Sequence, residues 1–155
     1  MAFYSLDDPT LWGRETEGWD VLAGMGGLEK ISVANFFLGK KEEDAPTATI
    51  VRFEPGYVLP HHSHDAYRLE IILEGSMMAG DRELKPGSIM YSGPGVFYGP
   101  HVTGPDGCTT VEIFSNFKAS HALLLKDASE VVECDLLTND GAHRALDLIG
   151  EQFAD

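Results

Sequence analysis

Glycine and proline punctuate the middle of this chain at short intervals, and that spacing limits the fold more than any other feature. Pro55-Gly56, Gly75, Gly80, Pro86-Gly87, Gly93-Pro94-Gly95, Gly99-Pro100, and Gly104-Pro105 with Gly107 mark turn after turn. Between and beside them lie segments rich in β-branched and aromatic residues: ISVANFFL (31–38), TATIVRF (47–53), RLEIIL (68–73), SIMYS (88–92) and TTVEIF (109–114). Short strands separated by turn signals predict an all-β antiparallel sandwich or barrel. Parallel βαβ units would need helical crossovers, and the gaps leave no room for them.

The two ends differ from this pattern. Residues 1–30 read as irregular, with Trp12 and Trp19 packing onto the sheet, and KKEED (40–44) reads as a solvated charged loop. Near the C-terminus Ala142, Ala145, Leu146, Ile149 and Phe153 recur at helical spacing, which predicts an amphipathic helix over about 140–153, with Asn139 or Asp140 as N-cap. No internal repeat is visible, so the expectation is one domain over 1–155 with its barrel at about 31–126. A chain of 155 residues buries roughly two thirds of its unfolded surface without staples, so Cys108 and Cys134 need not pair.

Charge narrows the partners. Lysine and arginine total 11 against 25 acidic residues, a formal charge of −14, which repels nucleic acid and anionic lipid head groups. No apolar run approaches the roughly 20 residues of a spanning helix. The opening MAFYSLDDPTLW lacks the basic and apolar regions of a secretory signal, so the expected location is the cytoplasm.

Three histidines crowd into PHHSHD, at His61, His62 and His64. On an extended strand, residues two apart face the same side, about 6.6 Å apart along the chain. His62 and His64 then point together, with His61 and Ser63 on the other side. Two imidazoles so placed can converge on one ion, since metal–nitrogen bonds of about 2.0–2.1 Å extend their reach. The plainer alternative is a pair of exposed loop histidines.

The flanks carry more. Gly56, five residues, His62, one residue, His64, three residues, Arg68, six residues, Gly75: this spacing resembles the first motif of the cupin superfamily, G-X5-H-X-H-X3-4-E-X6-G. FEPG before it and IILEG at its end resemble cupin sequence as well. Gly87, five residues, then Gly93-Pro94-Gly95 resembles the second motif, G-X5-P-X-G-X2-H, with glycine at its first proline. The resemblance covers about 45–116 and implies a double-stranded β-helix of jelly-roll type, which agrees with the strand reading. Two departures stand out. Arg68 occupies the position of the glutamate ligand, and Tyr98 that of the last histidine, with His101 three residues on. Because Gly99-Pro100 interrupts any regular strand, a longer loop could bring His101 into the site. The expected ligands are therefore His62, His64 and His101, with Tyr98 competing for the third place.

A three-histidine set without the glutamate is similar to that of acetylacetone-cleaving and related aryl-ketone-cleaving dioxygenases. That resemblance implies iron(II), with zinc, nickel or manganese as alternatives, and a small oxygenated substrate such as a diketone or hydroxy ketone. Arg68 should share the inward face with Glu70 and Ile72, where its guanidinium could clamp an anionic substrate or pair with Glu70 or Glu112. Either glutamate could serve as base or as support for a ligating histidine. Phe53, Tyr57, Met78, Met90, Tyr91, Phe97 and Phe114 would supply apolar lining, while His121 and His143 read as surface or helix residues. Beside the dioxygenase stand a metal-dependent lyase or isomerase and a non-enzymatic small-ligand or metal sensor. Edge strands carrying ISVANFFL and TTVEIF, next to an amphipathic helix, predict a homodimer.

Overall fold

In TATIVRF, Thr47, Thr49, Val51 and Phe53 are buried while the residues between them are half-buried, the alternation of a strand packed chiefly on one face. The computed structural model describes residues 1–14 and 30–154, and among these the strands β1 (Ile31–Phe37), β2 (Thr47–Phe53), β3 (Val58–Leu59), β4 (Arg68–Ala79), β5 (Arg82–Leu84), β6 (Ile89–Ser92) and β7 (His101–Phe114) form one antiparallel sheet. Its path runs β1-β2-β7-β4-β5, with β3 on β7 and β6 on β4. The long central pair β4–β7 bends through register shifts between Ile72 and Glu74 and between Gly75 and Met77. Gly75 makes the bend possible: its φ is +70°, and a Cβ there would stand 2.1 Å from the Gly107 carbonyl oxygen. Val33, Val51, Phe53, Leu59, Ile72 and Met77 fill the interior.

All five expected strands are present, with corrected limits. RLEIIL continues across Gly75 to Ala79, and TTVEIF is the end of a strand that begins at His101. That strand lies between β2 and β4 and is no edge, contrary to the expectation. β1 is the end strand of the path, although Gly13 and Arg14 hydrogen-bond to Val33 and Asn35 along it. Trp12 packs on the sheet through Arg52, whose guanidinium lies 4.3 Å from its ring. Trp19, and most of the irregular segment expected over 1–30, fall outside the described residues. The charged KKEED stretch holds a 3-10 turn over Lys41–Glu43.

The chain beyond β7 builds a second layer. A short helix α1 (Phe117–His121) leads into a hairpin of β8 (Ala122–Asp127) and β9 (Glu130–Asp135), followed by α2 (Asn139–Gln152). Thr138, rather than Asn139 or Asp140, is the N-cap of α2, its hydroxyl accepting from the Gly141 N–H at 3.1 Å. Ala142, Ala145 and Leu148 pack on Leu125, Cys134 and Leu136 of the hairpin region, whereas Phe153 stays exposed. Cys108 and Cys134 are both free and buried. Among the described residues no helix is long and apolar enough to cross a membrane.

Candidate metal centre and ligand cavity

His62 and His64 sit on the stretch between β3 and β4, which is not a regular strand but is pinned on both sides. His62 bridges to Tyr98, and Ser63 to Leu124 of β8. The pinning keeps the expected parity: both imidazoles turn inward and are buried, while the Phe97 ring lies tilted against His61 at 5.2 Å. Each inward ring is also fixed by its Nδ1. His62 Nδ1 donates to the Pro60 carbonyl at 2.8 Å, and His64 Nδ1 to the carbonyls of Ala119 at 2.6 Å and Ala122 at 3.1 Å. A carbonyl only accepts, so both Nδ1 atoms carry hydrogen and both Nε2 atoms present lone pairs. Burial, then the neighbouring His64, pushes His62 down to about 3; burial, then the Arg68 guanidinium, pushes His64 down to about 4. Both rings are therefore neutral at ordinary pH.

Neutral imidazoles with Nδ1 anchored and Nε2 free are the form in which histidine ligates metals. Their ring centroids are 5.2 Å apart, close to the roughly 5 Å expected of two imidazoles sharing one ion at about 2.1 Å metal–nitrogen distance. These two residues fit a divalent ion. A three-histidine centre, however, is not assembled. Among the described residues no three His, Cys, Asp or Glu side chains lie together in a way that could hold a metal.

Tyr98 lies beside all three histidine rings. Its ring lies 4.5 Å from that of His62, 6.4 Å from that of His64 and 5.9 Å from that of His101. Gly99 sets this course: its φ is +86°, and a Cβ would come within 2.6 Å of the same Pro60 carbonyl that anchors His62. The interruption at Gly99-Pro100 is as the sequence suggests, but it brings Tyr98 to the pair of histidines and starts β7 at His101, opposite Leu59 and Ala79. The Tyr98 hydroxyl and His101 Nδ1 are both buried without a hydrogen-bond partner. Burial raises the Tyr98 phenol far above its ordinary value, so it stays protonated.

Arg68, Glu70 and Glu112 face inward as expected and form one ionic unit. Glu70 and Glu112 are direct cross-strand partners on β4 and β7. Arg68 Nε donates to Glu112 Oε2 at 2.6 Å, and its Nη2 donates to Glu70 Oε2. All three are buried, and the guanidinium stacks over the Tyr98 ring at 4.4 Å. Burial first, and the Glu112 carboxylate second, raise Glu70 to about 7, outweighing the pull of Arg68 in the other direction. Of the two alternatives open for Arg68, the carboxylate pairing is the one present.

His62, His64, Arg68 and Glu112 form the polar end of a cavity of about 310 Å³. The remaining wall is largely hydrocarbon: Val33, Val51, Phe53 and Phe114 from the barrel, and Leu123, Leu136, Ala145, Leu146 and Ile149 from the second layer. Of the two places open to the amphipathic helix, against the barrel or against a second copy, α2 takes the first and roofs this space. Of the other residues expected to line it, Tyr57 does; Met90 packs on the barrel core, Met78 and Tyr91 are exposed, and Phe97 lies against His61 and Lys126. His121 is a helix residue but a buried one, 3.3 Å from Asp135 Oδ1, and His143 is exposed on α2.

Known proteins agree with this architecture. An acetylacetone dioxygenase from Acinetobacter johnsonii superposes over 94% of this chain and 93% of its own, with 14% identity and a TM-score of 0.55. A protein of unknown function with a cupin-like fold from Ralstonia eutropha JMP134 covers 94% and 91%, with 16% identity and a TM-score of 0.54. An RmlC-like cupin from Shewanella frigidimarina covers 77% and 96%, with 15% identity and a TM-score of 0.52. At such identities the likeness is one of fold. No curated protein sequence matches. Residues 28–118 match the ChrR cupin-like domain, more than half of the chain, so this protein belongs to the ChrR cupin-like family, with the single-domain cupin fold that its motifs announce.

Proposed function

We propose that this chain is a metal-dependent cupin acting on a small oxygenated organic molecule, with iron(II) as the metal and dioxygenase chemistry as its activity. The observation that carries the reading is the pair of Nδ1-anchored imidazoles, His62 and His64, opening onto an apolar cavity. Bound iron would supply the oxygen-dependent chemistry; zinc, nickel or manganese on the same ligands would supply Lewis-acid chemistry of the lyase or isomerase kind. The chain's own residues do the rest. His62 and His64 would hold the ion, and the hydrocarbon wall would limit the access of water to it. Glu112 lines the cavity and is the carboxylate placed to accept a proton from bound substrate, while Arg68 and Glu70 hold it in place.

A second reading, ligand binding without turnover, is favoured by Tyr98, whose ring stands 4.5 Å from that of His62 at the motif position of the last histidine. Metal analysis of the protein as purified, followed by oxygen uptake after iron loading, separates the two. The dioxygenase reading expects about one ion per chain, lost in His62→Ala and His64→Ala, and oxygen consumption with diketones or hydroxy ketones. Retained iron without oxygen uptake across such a panel leaves the binding reading.

The protein is further proposed to be a cytoplasmic homodimer. On the outer face of the sheet, Ile50, Val111, Ile71 and Ile89 lie in one cross-strand row and Ala48, Ile113, Leu69 and Tyr91 in the next. Ile89 and Tyr91 remain 63% and 68% exposed, which favours a second copy on this face. Light scattering at micromolar concentration tests it, and a monomer mass refutes it.

A further inference from the structure

The backbone of the histidine segment is gripped from both edges, and one of the grips is a side chain. His62 donates its N–H to the Tyr98 carbonyl at 3.0 Å and accepts from the Tyr98 N–H at 2.9 Å. Ser63 does the same with Leu124 on the opposite edge, at 3.0 and 2.8 Å. Backbone groups two residues apart face the same edge, so His61 shares that edge with Ser63, and its partner in a continued antiparallel pair would be Lys126. That rung is filled instead by Gln152, the last residue of α2. Its Oε1 accepts from the His61 N–H at 2.8 Å, and its Nε2 donates to the His61 carbonyl at 3.0 Å. An amide oxygen only accepts and an amide NH2 only donates, so both ends of the Gln152 side chain are matched.

Two peptide units are held by this one amide. The Pro60–His61 unit carries the His61 N–H at one end and, at the other, the Pro60 carbonyl that receives His62 Nδ1 at 2.8 Å. A peptide unit is planar, so holding its N–H holds the direction of its carbonyl as well. The Gln152 oxygen, the peptide and the imidazole thus form one hydrogen-bonded chain in which each link polarises the next. The His61–His62 unit has its carbonyl on Gln152 and its N–H on Tyr98. His64 is fixed without any part of this chain, by the carbonyls of Ala119 and Ala122. Leu146 and Ile149 stand on the same face of α2 as Gln152, at spacings of three, so the face that roofs the cavity also ends on the segment bearing His62.

We infer that Gln152 is a positioning residue for His62: its amide sets the Pro60–His61 plane, and through that plane the tautomer and direction in which His62 offers Nε2. The consequence for metal binding rests on the reading of His62 and His64 as ligands, whereas the effect on the ring does not, so both are measured on the full chain. In the metal-free protein at pH 8, long-range proton–nitrogen NMR spectra show which ring nitrogen carries hydrogen. The native protein should show Nδ1–H for both His62 and His64. Gln152→Met keeps the length of the side chain and removes its hydrogen bonds. In that variant the two ring nitrogens of His62 should shift towards each other as the tautomers mix, while those of His64 stay unchanged. Calorimetric titration with zinc(II) should give a dissociation constant roughly 3–10-fold above that of the native protein, at or below the low end of the loss that direct ligand partners cause. Gln152 is exposed, so its replacement empties no core, and Gln152→Ala should behave as Gln152→Met does. A His62 spectrum unchanged in both variants overturns the inference. So do His62 and His64 disturbed alike, the sign of a merely loosened α2, and zinc held within about twofold of the native affinity. A native protein that takes up no zinc, while the variants still disturb His62 alone, overturns only the metal reading.

Discussion

Replacing Arg68 by methionine removes the one cation from a buried group of three charges. Arg68 is 2% exposed and Glu70 fully buried, so Arg68→Met leaves two carboxylates facing each other across β4 and β7 without their counter-charge. Breaking a buried ion pair from one side costs about 3–5 kcal/mol, a large part of the roughly 5–15 kcal/mol that holds a domain folded. At about 2–4 °C per kcal/mol for a chain of this size, the melting temperature should fall by roughly 6–20 °C at pH 8. The penalty also has a sign in pH. Glu70 is already held above its ordinary value by burial and by the Glu112 carboxylate, and loses the opposing pull of the guanidinium; a carboxyl raised in the folded state stabilises most below its unfolded value and loses that contribution as pH rises through the folded one. The loss should therefore be smaller at pH 5 than at pH 8. Thermal unfolding followed by circular dichroism at the two pH values measures both. The triple variant Arg68→Met, Glu70→Gln, Glu112→Gln should recover most of the stability, since neutral replacement of a whole buried ionic group is often near neutral. A single variant that loses under about 1 kcal/mol at pH 8, or loses the same amount at both pH values, refutes the ionic unit and restores Arg68 as an anchor for anionic substrates.

Glu70, raised from 4.5 to about 7, should make the native protein less stable at pH 8 than at pH 5 by roughly 2–3 kcal/mol from this group alone; Glu70→Gln should flatten that slope in denaturant titrations at the two pH values. His62→Ala and His64→Ala should abolish metal retention and His61→Ala should not, while His101→Ala should retain metal as long as Tyr98 keeps its place; elemental analysis decides, and loss of metal in His101→Ala alone would put that residue back among the ligands. Gly75→Ala should cost roughly 2–5 kcal/mol, combining a left-handed backbone with a Cβ driven into the Gly107 carbonyl; urea unfolding within about 1 kcal/mol of the native protein would contradict the close approach.

The sheet was legible because a strand's side-chain period is 2 and because Gly and Pro bound the strands in sequence as they do in space. The misplaced limits of β4 and β7 share one cause. Gly75 and the Gly104–Gly107 stretch read as strand ends, yet both lie inside β4 and β7, where the long pair bends and two backbones pass too closely for any side chain. A single chain segment carries no mark that tells a glycine ending a strand from one bending it. The hairpin of β8 and β9 was missed for another reason. ALLLKD and EVVECD mix apolar and charged residues without strict alternation, and they become strands because they pair with each other and because α2 covers them. The parity of His62 and His64 was readable from their spacing, since a single residue separates them. The choice between Tyr98 and His101 depends on the approach of Gly99 to Pro60, nearly forty residues upstream, a contact that no local pattern contains.

Arg68, Tyr98 and the two glutamates depend on one another. An arginine at the glutamate position of the cupin motif brings a positive charge to the wall beside two candidate metal ligands, where a bound cation would repel it. Glu70 and Glu112 meet that charge on one side, and the face of Tyr98 meets the guanidinium on another. A histidine at position 98 would lose this stacking surface and would itself become cationic on protonation, next to Arg68. A tyrosine held protonated by burial avoids both. The two departures from the motif thus compensate each other electrostatically. Their joint effect is a polar end that carries its own counter-charges and leaves the lone pairs of His62 and His64 as the groups open to whatever enters the cavity.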